Sequence, residues 1–175
     1  IYNYISINMN LLEKYVSSSG VKALHDVVSD SKTKNIFLTG LSASATSVII
    51  AALYQRCKTP ILFIADDEEE AGYFYHDLSQ IINRENVYIL PSSYKRAIKY
   101  GQHDAANEIL RVEVLAALAI CPNHIVVTHP DALAELVVSS ENVEKLRMDI
   151  ECGQKISMRE MTEQFQRDRM KDKIL

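Results

Sequence analysis

Apolar residues recur at helical spacing over Met9–Val16 (Leu11, Leu12, Tyr15, Val16) and over Gly20–Ser29 (Val21, Leu24, Val27, Val28). That spacing predicts two helices, broken apart by Ser17-Ser18-Ser19-Gly20. Asn35-Ile36-Phe37-Leu38-Thr39 then reads as a buried strand. A helix follows from about Ala45 to Arg56, with Val48, Ile49, Ala52, Leu53 and Tyr54 towards its buried side. Ile61–Ala65 is a continuous apolar run, as expected for a strand covered on both faces. Asp66–Glu70 opens another helix carrying Ala71, Phe74, Leu78 and Ile81-Ile82. Val87–Leu90 is the next strand, closed by Pro91-Ser92-Ser93. His103-Asp104 leads into a long helix ending at Cys121. It carries Ile109, Leu110, Val112, Val114, Leu115 and Leu118, with Arg111 and Glu113 on its polar side. His124–Thr128 is a further strand and His129–Leu133 a short helix. Leu146–Cys152 reads as an edge strand, and Ser157–Glu160 begins a helix with a capping-box pattern.

Alternating strands and helices imply an α/β fold, a parallel sheet with helices on both faces. Ligands of such sheets sit at the carboxyl ends of the strands. Those ends are Gly40–Ser44, Asp66–Asp67, Pro91–Ser93 and His129–Pro130.

The first of these ends is the most informative. A phosphate-binding loop reads G-x-x-x-x-G-K-[ST] between a strand and a helix. In Gly40-Leu41-Ser42-Ala43-Ser44-Ala45-Thr46-Ser47, Gly40 fills the first glycine position and Ser47 the final hydroxyl position. Ala45 replaces the second glycine and Thr46 replaces the lysine. Thr46 brings no charge to the outer phosphates, and Ala45 gives up the freedom to take positive φ. The frame of an ATPase loop is kept without its chemistry, so no ATP hydrolysis is expected here. The plainer reading is a small-residue turn that lets a helix pack closely on a sheet.

The other strand ends are less specific. The carboxylates of Asp66–Glu70 are contiguous and fan around a helix, so they suit a solvated helix start better than a metal site. His129 is a lone histidine at a strand end. A small α/β hydrolase or transferase using His129 and Asp66–Asp67 has no nucleophile at a telling spacing. Lys95, Arg96 and Lys99 beside Tyr94 and Tyr100 could serve a nucleic-acid-binding module, although a solvated connector is the plainer reading.

Composition narrows the classes. The 175 residues suit one domain with a small appendage, and 47% hydrophobic residues supply a core. A net charge of −4 argues against a general nucleic-acid surface. No run is long enough to cross a membrane, and the opening residues do not make a good secretory signal. Cys57, Cys121 and Cys152 are far apart and odd in number, which fits a reduced, cytoplasmic chain with no metal site.

The order of these segments resembles the amino-terminal region of the bacterial transcription-repair coupling factors (Mfd). That region is similar to the excision-repair helicase subunit UvrB, with a degenerate ATP site. The resemblance is carried by Phe37–Ala45, by Pro60–Asp66 with Glu69, Ala71 and Asp77-Leu78, and by Leu90-Pro91-Ser92. It continues through Arg111–Leu115, Ile125–Leu133 and Gly153–Ile156.

The resemblance implies a non-catalytic module of transcription-coupled nucleotide excision repair. Such a module recruits the damage-recognition protein UvrA and restrains a downstream motor by intramolecular contact. It further implies that the full-length parent is an ATP-dependent DNA translocase, with ATP and Mg held in downstream modules. RNA polymerase and DNA are expected to be reached through other domains. In this chain it implies no cofactor, no metal and no catalytic residue. It leaves Gly40, Ala45, Thr46 and Ser47 as the degenerate nucleotide loop, in a RecA/helicase-like half.

The expected organisation is an N-terminal extension over 1–20 and the degenerate P-loop α/β domain over 21–145. The start of a small UvrA-interaction-type domain, or a joined tail, is expected over 146–175. In the family, the helix matching Met158–Phe165 leads into a small domain whose arginine-glycine segment makes much of the UvrA contact. Here the chain runs instead into Gln166–Leu175, leaving Arg159 as the residue carried over for partner binding.

Overall fold

A computed structural model describes residues 11–94, 104–137 and 157–159. The chain divides into two units, 1–137 and 138–175. In the first, residues 11–17 form helix α1, followed by α2 (Ser19–Ser29), α3 (Ala45–Cys57), β1 (Ile61–Ile64), α4 (Glu68–Ile81), β2 (Val87–Leu90), α5 (Ala105–Ile120), β3 (Ile125–Thr128) and α6 (Pro130–Leu133). A short 3₁₀ turn, Arg84–Asn86, leads into β2. In the second unit, Ser157, Met158 and Arg159 are exposed.

Local chemistry sets the helix boundaries. Ser18 caps α2 by accepting a hydrogen bond from the Val21 N–H at 3.3 Å. Asp67 caps α4 through the Glu70 N–H at 2.8 Å, while the Glu70 carboxylate accepts from the Asp66 N–H at 2.7 Å. Asp104 caps α5 through the Ala106 N–H at 3.0 Å. The acids of Asp66–Glu70 thus include two groups engaged with backbone at a helix start.

The sheet is parallel, in the order β1-β3-β2, with Ile61 and Val87 both in register with Ile125. The fold is α/β. The central strand β3 is buried along its whole length. Its alternate side chains enter two cores. Ile125 and Val127 pack with Leu78, Ala71, Ala51 and Tyr54 from α3 and α4, joined by Leu12 and Val21 from the first two helices. Val126 packs with Leu90 and Val114, adding Tyr88 and Leu118, so α5 covers the other face. The Tyr54 hydroxyl donates to the Asn123 carbonyl at 2.7 Å and ties α3 to the entry of β3.

One expected strand is absent. Residues 33–39 adopt no regular structure, and Phe37 is 90% exposed. The run has the composition of a strand, but a strand needs a hydrogen-bonded neighbour, and among the described residues none pairs with it. Helix α5 also departs from expectation. Arg111 lies at 7% exposure rather than on a polar side, whereas Ile109 and Val112 are exposed.

Candidate functional site

The loop at Gly40–Ser47 leads into α3, but without a strand before it. Gly40 takes φ +81°, a conformation that glycine adopts without a steric penalty. The second positive φ falls on Ala43, at +48°. Ala45, where the sequence placed the cost of a missing glycine, is instead the first helical residue, and its methyl group meets no such constraint. The Ala45 N–H is used within the turn, donating to the Ser42 carbonyl at 3.1 Å.

Ser47 stands at the final hydroxyl position of the loop. In a working phosphate loop this hydroxyl holds the magnesium ion. Here Ser47 is fully buried and its hydroxyl donates to Asp77 of α4 at 3.4 Å. The residue is part of the packing of α3 on α4. The space beside the loop, about 280 Å³, is lined largely by apolar side chains, among them Val21, Leu24, Leu38, Leu41 and Ile49. Among the described residues no cation lines it.

The region at the end of β2 is densely bonded. Glu135, just beyond α6, accepts from the Ser92 hydroxyl at 2.5 Å, the Ser93 N–H at 3.0 Å and the Ser93 hydroxyl at 2.7 Å. Arg111 approaches the same carboxylate at 3.5 Å and donates to the carbonyls of Pro91 at 2.8 Å and Ala132 at 3.2 Å. Asn107 donates to the Ser92 carbonyl at 2.8 Å. Burial pushes the Glu135 carboxyl up, but the hydrogen bonds from Ser92 and Ser93 and the charge of Arg111 outweigh it, and the net shift is downward. These groups join the end of β2 to α5 and to the α6 segment that follows β3. Sequence reasoning singled out Ser92 and Ser93 but not Glu135, which lies 43 and 42 residues further on.

Asp66 and His129 follow on the neighbouring strands β1 and β3, where the Ala65 N–H donates to the Thr128 carbonyl at 2.8 Å. His129 is buried at 1% exposure, whereas Asp66 is exposed with its N–H held by Glu70. The two thus share neighbouring strand ends but differ in exposure. Lys95, Arg96 and Lys99 lie outside the described residues, as does Leu146–Cys152. Arg159 is exposed. Among the described residues no group of three or more potential ligands could hold a metal, and no helix is long and apolar enough to cross a membrane.

No protein-family model, curated protein or solved structure matches this chain.

Proposed function

We propose that this chain is a non-catalytic, UvrB-like interaction module of a transcription-repair coupling factor. In this reading it recruits UvrA and restrains a downstream ATP-dependent DNA translocase. The observation that carries the non-catalytic part is Ser47: its hydroxyl is buried against Asp77, in a loop whose lysine position is Thr46. The recruitment part rests on the ordered segments that resemble the coupling factors. Arg159, exposed in the second unit, is the contact residue proposed for UvrA.

Binding of the full chain to purified UvrA tests the proposal. A saturable complex weakened by Arg159→Glu is expected. Absence of a complex at high micromolar concentration removes the recruitment role.

A further inference from the structure

The Glu135 carboxylate meets donors at both of its oxygens. Oε1 accepts from the Ser92 hydroxyl at 2.5 Å and the Ser93 N–H at 3.0 Å, and Oε2 accepts from the Ser93 hydroxyl at 2.7 Å. Arg111 Nη1 brings the counter-charge to 3.5 Å from Oε2. Hydroxyl, amide and guanidinium donors converging on two oxygens are the chemistry of a carboxylate receptor. The donors are also fixed by contacts that do not involve Glu135. Arg111 is held by the Pro91 and Ala132 carbonyls, and Asn107 donates to the Ser92 carbonyl. The carboxylate itself arrives on a segment with few other ties. The Ala134 N–H donates to the Pro130 carbonyl at 3.0 Å. Beyond it, among the described residues, the carboxylate is the one hydrogen-bonded attachment of residues 135–137. Leu136 is fully exposed and Val137 is half-exposed. Nor does Glu135 exhaust the guanidinium, since Arg111 Nη2 is buried with no bonded partner among the described residues. An arginine fork takes an untethered carboxylate through two parallel bonds.

We propose that Ser92, Ser93 and Arg111 form a carboxylate-binding site that Glu135 fills as a displaceable internal ligand. A carboxylate from outside the chain takes the site in exchange, and residues 135–137 are then released. The ligand is a carboxylate rather than a phosphate, because Arg111 is the cation at the site among the described residues and balances a single negative charge. Leaving the site empty strands a buried guanidinium and two hydroxyl donors, so the site favours being filled by one carboxylate or the other.

The test uses the full chain carrying Glu135→Ala, with acetate as the probe and chloride at matched ionic strength as the control. Acetate should raise the thermal midpoint of the variant saturably, by about 4 °C or more over chloride. If the variant is unfolded in chloride, acetate should refold it. In the wild type the tethered Glu135 competes at a high effective concentration. Acetate should therefore move the Leu136 and Val137 amide NMR signals towards their Glu135→Ala positions only at higher concentration. A blocked Ala-Glu-Leu peptide distinguishes the sources: tighter binding than acetate assigns the site to a protein-borne carboxylate, and equal binding assigns it to small carboxylates. The proposal is overturned if acetate does no more than chloride for Glu135→Ala, or if phosphate at matched ionic strength rescues it as well. It is also overturned if the wild-type Leu136 and Val137 signals do not move at any acetate concentration.

Discussion

Two regions of this molecule contrast sharply. The Gly40–Ser47 loop follows an exposed segment without regular structure, and Ser47 is tied to Asp77 by one long side-chain bond. The Ser92–Ser93–Arg111–Glu135 cluster joins separate strand and helix ends through several short bonds. The first carries a recognisable motif with little chemistry behind it. The second has no motif, yet it organises the strand ends. A motif's shape and a site's organisation are therefore separate properties.

The largest effect should come from Glu135→Ala. It leaves the Ser92 and Ser93 donors without their acceptor and the buried Arg111 guanidinium without its counter-charge, and breaking such a pair costs about 3–5 kcal/mol. Urea unfolding measures it, and a loss below about 1 kcal/mol, the scale of an exposed pair, would remove the contrast between the regions. The same carboxyl sets a pH dependence. Its folded-state pKa is lowered, so its contribution is present above the unfolded carboxylate value and is lost as pH falls through the folded value. The stability difference between the wild type and Glu135→Gln should accordingly shrink on acidification through the carboxylate range.

Ser47→Ala should cost less, about 0.5–1.5 kcal/mol for one buried hydrogen bond. A much larger loss would mean that the loop is as tightly organised as the Glu135 cluster. Phe37→Ser should change stability by no more than about 0.5 kcal/mol, because the side chain is almost fully exposed. A loss above about 2 kcal/mol, typical of core truncation, would show that residues 33–39 are packed as a strand in solution.

Much of the fold was legible because its signals are local. The apolar runs Ile61–Ile64, Val87–Leu90 and Ile125–Thr128 mark the three strands, and Asp67 and Asp104 mark helix starts. Residues 33–39 misled because composition reports strand propensity, whereas pairing depends on a neighbour supplied by the rest of the fold. Arg111 misled because its charge suggested solvent, while carbonyls of Pro91 and Ala132 from distant segments satisfy it inside. Glu135 carried no local signal, since its partners are brought to it only by the parallel crossover between β2 and β3.

Calorimetric titration of the full chain with magnesium and ATP tests the central claim most directly. On the proposed reading of the Gly40–Ser47 loop as a packing turn, no saturable binding is expected up to millimolar nucleotide. Micromolar, magnesium-dependent binding that is lost in Ser47→Ala would contradict it.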